Sequence, residues 1–153
     1  MEYSILTDET AGSDVAGLTT VASKSADGKS YVLNGEKKWI TQGQWADHGL
    51  VAARTGPNGA KGISVFIVPL GTKGISRRKM ENSGVSSSGT IHLQFSSINC
   101  LTDSMYAGST FLEFDEVVVP AENLLGKENQ GFEIIMSSTL TCPFTYTYIS
   151  ISH

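Results

Sequence analysis

Residues Tyr31 to Gly43 read YVLNGEKKWITQG, and the reading of this stretch governs the reading of the rest of the chain. Strand-forming residues on either side of Asn34-Gly35 predict two strands joined by a tight hairpin turn. In the second strand Trp39 and Thr41 fall on one face and Ile40 on the other, because strand side chains alternate. The run then breaks at Gln42-Gly43. One face thus carries a broad apolar plate beside a hydroxyl, a surface suited to a flat, partly polar object.

Outward from this stretch, most of the chain reads as strands and turns. HGLVAAR (48–54) is a strand candidate stopped by the turn chemistry of TGPNGAKG (55–62). ISVFIVPL (63–70) is nearly continuous in β-formers, which predicts a strand buried on both sides or an edge strand ending at Pro69. FLEFDEVVVP (111–120) closes at Pro120, and the 16 glycines spread mainly between the runs. The pattern predicts a mainly β fold, an antiparallel barrel or sandwich. One helix is expected, in KENQGFEIIMSS (127–138), where Phe132, Ile135 and Met136 share a helical face.

The totals exclude several classes. With 153 residues, 40% hydrophobic and 17% charged, the chain can bury one core. Its net charge of −4 and longest basic run, Arg77-Arg78-Lys79, argue against a nucleic-acid partner. No apolar run approaches the ~18 residues of a membrane helix. The opening MEYSILTDET lacks the features of a secretory leader. Cys100 and Cys142 are too few for a disulfide scaffold, so an intracellular, soluble protein is expected.

Two segments differ from the rest. Thr90–Gly108 carries Asp103 as its one charge, and Ser137–His153 carries no Asp, Glu, Lys or Arg. The charge-free tail is also an aggregation-prone pattern unless paired.

Conventional catalytic constellations are nearly absent. His48, His92 and His153 are scattered without a metal spacing, and no nucleophile elbow or Walker-type phosphate loop occurs. Asp8, Glu9 and Asp14 read as a solvated acidic loop. LTDETAGSDVAG (6–17) offers hydroxyls and glycine-loop amides that suit an anionic or carbonyl ligand, although Gly-Ser-Asp is also ordinary turn composition.

Taken together, TDETAGSDVAG (7–17), YVLNGEKKWITQG (31–43), GISVFIVP (62–69) and FDEVVVPAENLLGKENQGFEIIM (114–136) resemble the middle β-domain of the acyl-CoA dehydrogenases. The family's first motif usually reads Thr-Glu-Pro-x-x-Gly-Ser-Asp, and here Asp8 and Glu9 stand where Glu and Pro are common. Gln42 likewise replaces the Asn of Trp-Ile-Thr-Asn-Gly.

The resemblance implies a middle domain over 4–136, with an atypical insertion at 90–108 and an atypical tail at 137–153. Both segments begin at an abrupt change of composition, as expected of read-through from non-coding sequence. A true loop insertion in a naturally short form is the other reading, though it would split a strand pair.

The flat object implied is the isoalloxazine ring of FAD. Leu6, Thr7, Gly12, Ser13, Trp39, Ile40 and Thr41 are the implied cofactor residues, with Ser13 also meeting the CoA arm of an acyl-CoA substrate. Trp39 would pack on the ring and Thr41 would hydrogen-bond its reactive edge, while Thr7 and the backbone at Leu6 would meet the pyrimidine side.

The implied reaction is oxidation of an acyl-CoA thioester to the 2,3-enoyl-CoA. The family's catalytic carboxylate lies in a C-terminal helical bundle, and no residue of this chain aligns with it. The isolated chain is therefore expected to be inactive, and no metal is implied. Family precedent also implies a homo-oligomer, no membrane, and a mitochondrial or peroxisomal compartment. The competing readings are a non-catalytic β-domain that binds a small ligand, or one that docks onto full-length subunits.

Overall fold

Runs dense in β-branched and aromatic residues form the strands, and the glycine-rich runs form the turns between them. The computed structural model describes residues 5–6, 14–41, 43–80 and 109–141, with the backbone alone for residues 5, 6, 41 and 138–141. In chain order come β1 (Ile5–Leu6), β2 (Val21–Lys24), β3 (Ser30–Thr41) and β4 (His48–Arg54). They are followed by β5 (Ile63–Pro69), β6 (Ile75–Lys79), β7 (Ser109–Pro120), β8 (Leu124–Leu125) and α1 (Gly131–Thr141). β5 and β7 end at their prolines, which have no N–H to extend a ladder.

The chain is mainly β with one helix among the described residues, as expected. The strands form one sheet in the order β6-β7-β3-β2-β4-β5-β8, with β1 beside β4. Most pairings are antiparallel, but β1 and β2 both meet β4 in parallel, so the sheet is mixed rather than purely antiparallel. The cause is local. β1 and β2 run in the same direction along β4, parted by residues 7–20.

The expected hairpin at Asn34-Gly35 does not form; β3 runs straight through both residues. Asn34 brackets a bulge in β7 instead. Its amide donates to Glu116 Oε1 at 2.9 Å, and its carbonyl oxygen accepts from the Glu116 N–H at 2.8 Å. Gly35 lies against the end of the 7–20 connection, where an added Cβ would come 2.7 Å from Thr20 Cα. The actual hairpin joins β2 to β3 through Asp27-Gly28, with Gly28 at φ 69° and the Gly28 N–H donating to Ser25 O at 2.9 Å.

Two cores hold the sheet. On one face Tyr31, Leu33, Phe66, Val68, Leu112, Phe114, Val117 and Val119 form a buried cluster. Tyr31 of β3 meets Phe66 of β5, with β2 and β4 between them in the order, and the ring centroids are 4.9 Å apart. The sheet therefore curls around this cluster. On the other face α1 lays Phe132, Ile135 and Met136 over Ala52, Ile63 and Val65. Burial on both faces explains the continuous apolar run of β5.

Candidate functional site

The site is built on β3, at a second irregularity in its pairing with β7. Lys37 pairs with Leu112 and Ile40 with Thr110, so β3 carries one residue more than its partner between these points. The extra residue resets the alternation. Lys37 is fully buried at 0% exposure, Trp39 is 54% exposed and Ile40 is 1% exposed. In a regular strand Lys37 and Trp39 would share a face; the bulge sends one inward and the other outward.

Trp39 takes φ 62° to do so, in the left-handed region that a bulky residue rarely enters. Trp39 and Ile40 do lie on opposite sides, as expected. Ile40 belongs to the core cluster beneath Gly43, so its side chain faces inward. The Lys38 ammonium lies 6.0 Å from the centroid of the Trp39 ring. For Thr41 the backbone is described, paired with Ser109.

The second part of the site is the stretch between β1 and β2. Ile5 pairs with Leu50 and Leu6 with Val51, in parallel on β4, and β1 also approaches β3. Thr7, Gly12 and Ser13 lie outside the described residues. From Asp14 the chain runs through a short 3₁₀ turn, Val15–Gly17, before β2 touches β4 at a single pair, Val21 with Arg54. Between the two parallel contacts the Ala52 carbonyl accepts a bond from the buried Lys37 ammonium at 2.7 Å. A side chain here does what a strand N–H would do elsewhere. The Arg54 N–H then donates to Thr20 O at 2.8 Å.

Sequence reasoning missed Lys37 and Arg54. For Lys37 a signal existed: it stands in the inward phase of Tyr31, Leu33 and Gly35, where an unpartnered cation would be costly. Arg54 read only as the last residue of a strand.

Two polar clusters tie the sheet to the segment leading into α1. Tyr31 donates to Glu128 Oε2 at 2.9 Å, and the Lys24 ammonium stands 3.2 Å from the same oxygen. These two groups hold Glu128 below the usual carboxylate range. Burial, and then Glu128, push the Tyr31 hydroxyl up, while Glu128 raises Lys24.

In the other cluster the Thr55 hydroxyl donates to Asn129 Oδ1 at 2.8 Å, and the Asn129 N–H donates to Ser64 Oγ at 2.8 Å. The Thr55 and Ser64 hydroxyls are 2.6 Å apart. With the Thr55 proton already committed, Ser64 donates to Thr55 and the ring of three closes. Among the described residues, no group of three or more His, Cys, Asp or Glu side chains could hold a metal. No described helix is long and apolar enough to cross a membrane.

Comparison with known proteins points one way. The family model for the acyl-CoA dehydrogenase middle domain matches residues 4–98. The acyl-CoA dehydrogenase apdG of Emericella nidulans is 44% identical over 134 residues, covering 87% of this chain and 26% of that protein. The short-chain specific acyl-CoA dehydrogenase of Megasphaera elsdenii is 39% identical over 133 residues, covering 86% of this chain and 30% of the relative. The solved structure of butyryl-CoA dehydrogenase from Megasphaera elsdenii superposes with a TM-score of 0.71 at 34% identity, covering 89% of this chain and 31% of that one. The chain thus spans between about a quarter and a third of the length of these relatives.

Proposed function

The chain belongs to the acyl-CoA dehydrogenase family, and from that premise we propose that it forms the flavin-facing wall of an enzyme oxidising acyl-CoA thioesters to 2,3-enoyl-CoA. The observation that carries this reading is the bulge that turns Trp39 out of the core. A strained backbone that exposes the largest apolar side chain of the strand is a poor device for stability and a good one for binding a flat ring.

FAD is the family's cofactor, and the described residues fit it. Trp39 offers an apolar plate, Ile40 anchors that plate from within the core, and β1 brings Leu6 alongside β3. When bound, FAD supplies the electron acceptor that no side chain of this chain provides. In this reading Leu6 and Thr7 line the pyrimidine side of the ring and Thr41 its reactive edge. Gly12 keeps the loop backbone accessible. Ser13 stands where the cofactor and the CoA arm of the substrate come together.

No carboxylate of this chain is assigned the substrate's α-proton, and the isolated chain is inactive in this reading. Its full-length counterpart is a homo-oligomer in a mitochondrial or peroxisomal setting. A second reading, docking onto full-length subunits without catalysis, draws support from Val118 at 57% and Val21 at 43% exposure on the outer face of the sheet. Co-purification with a full-length relative, in a chain that takes up no FAD, would favour it.

The deciding experiment titrates FAD into the purified chain, following flavin fluorescence and the visible band. Trp39→Ala should weaken binding by about 2 kcal/mol, roughly thirtyfold, through loss of aromatic stacking area. Equal binding by wild type and by folded Trp39→Ala would overturn the reading.

A further inference from the structure

Lys37 and Ile40 are both buried, at 0% and 1% exposure, although they stand three residues apart on β3. An odd separation puts two residues of a regular strand on opposite faces, so both point inward only if an extra residue lies between them. The pairing shows where it lies: Lys37 faces Leu112 and Ile40 faces Thr110. Before the bulge the inward phase is that of Tyr31 and Leu33, with Lys37 in step; after it the phase is that of Ile40. Trp39 stands between the two anchors and takes up the mismatch at φ 62°. The anchors differ in kind. Ile40 packs into the apolar cluster, whereas Lys37 is held by a directional bond, 2.7 Å from its Nζ to Ala52 O. A lysine goes fully inside only where an acceptor meets its ammonium. β4 offers that acceptor in the interval between its pairs with β1, at Leu50 and Val51, and its pair with β2, at Arg54.

Resting on the flavin reading above, we propose that Lys37 is a positioning residue for Trp39: its bond to Ala52 O fixes the bulge at 38–39 and with it the backbone from which Trp39 presents its ring. The β2–β3 ladder ends at Asn34, and the half of β3 that carries Trp39 is laddered to β7. The Lys37 bond ties this half to β4 as well. Without the bond the extra residue is free to move up the strand, Trp39 relaxes to an extended backbone, and its ring leaves the orientation that a flat cofactor meets. Holding the ring in place beforehand spares the entropy of ordering it on binding.

The test titrates FAD into the 153-residue chain and into Lys37→Met, Trp39→Ala and Val119→Ala. Lys37→Met keeps an unbranched side chain and removes the ammonium. Val119 is buried far along β7 from the bulge, opposite Tyr31, so its truncation lowers stability without touching the site. Lys37→Met should weaken FAD binding by about tenfold, and Val119→Ala should bind as wild type does. Binding by Lys37→Met within about twofold of wild type would overturn the role of Lys37, as would an equal loss in Val119→Ala. Wild-type binding that survives in Trp39→Ala would instead overturn the flavin reading.

A second measurement needs no cofactor. In the wild-type background Trp39→Gly should melt above Trp39→Ala, because a left-handed backbone favours glycine. With Lys37→Met added the order should reverse, as at an ordinary strand position. The same order in both backgrounds would sink the inference whatever the titration shows. Chemical rescue isolates the charge. Lys37→Cys, in a chain carrying Cys100→Ser and Cys142→Ser, is alkylated in denaturant and refolded, with bromoethylamine to restore an ammonium at lysine length or with bromopropane to give that length uncharged. The aminoethyl form should bind FAD as wild type does and the propyl form about tenfold more weakly, and equal binding by the two would overturn the proposal. A Lys37→Met chain or a propyl form without a cooperative melt would make Lys37 a requirement of the fold, and the positioning role would fall.

Discussion

Trp39 holds a left-handed backbone at φ 62°, which costs a residue with a Cβ about 1–2 kcal/mol. The conformation persists because its neighbours are over-determined: Ile40 is locked into the core and Lys37 is buried with its ammonium on Ala52 O. Comparing two truncations isolates the backbone cost, since both remove the ring. Trp39→Gly should be more stable than Trp39→Ala by about 1 kcal/mol, a difference of about 4 °C in Tm. An ordinary strand position would reverse that order, because glycine there is the worse choice. Thermal melts that rank Ala above Gly would show that the bulge carries no strain.

At the scale of elements, two glycines, one in the turn between β2 and β3 and one inside β3, do different work although each follows an Asp or Asn. Gly28 turns the β2–β3 hairpin at φ 69°, and the nearest atom to an added Cβ there is Lys24 Cε at 3.9 Å. Gly35 stands inside β3 at φ 144°, with Thr20 Cα 2.7 Å and Thr20 Oγ1 2.8 Å from an added Cβ. Gly28→Ala should therefore cost about 1 kcal/mol, the price of a left-handed alanine alone. Gly35→Ala must also push the backbone at Thr20 away, and should cost about 3 kcal/mol or more. Because Thr20 O accepts from the Arg54 N–H, the second variant should also disturb the junction of that backbone with β4. Denaturant melts of the two variants give the comparison, and equal losses would mean that Thr20 yields freely.

For the whole molecule, the long connection between β6 and β7 matters most. The ladder between these strands is intact, running from Ile75 with Phe114 to Lys79 with Thr110, and the Met80 N–H donates to Ser109 O at 2.9 Å. The residues between Met80 and Ser109 therefore leave and return at one point of the sheet. The strand pair that an insertion was expected to split is made. Deleting residues 90–108 should leave a cooperative fold and raise its stability by about 1 kcal/mol, since a roughly threefold shorter loop costs less to close. Loss of the cooperative melt in the deletion variant would show that the segment belongs to the folded domain.

Much of the architecture was legible in local pattern. β4 and β5 lie on the runs that suggested them, β5 and β7 stop at their prolines, and α1 lays Phe132, Ile135 and Met136 on the sheet as their spacing implied. These features depend on residues near one another in the chain, where periodicity and the missing N–H of proline act directly. The motif residues around Trp39 were legible too, and with them the family.

The tertiary structure alone decided the rest. Asn34-Gly35 serves equally well in a turn or beside a bulge, and only the approach of Thr20 and Glu116 from distant parts of the chain selects the bulge. Trp39 faces outward because β7 is one residue short opposite it, and Lys37 and Arg54 find their carbonyls only once β4 lies beside β3 and residues 16–18. Local sequence sets what each segment can become; contacts between segments far apart in the chain choose among those states.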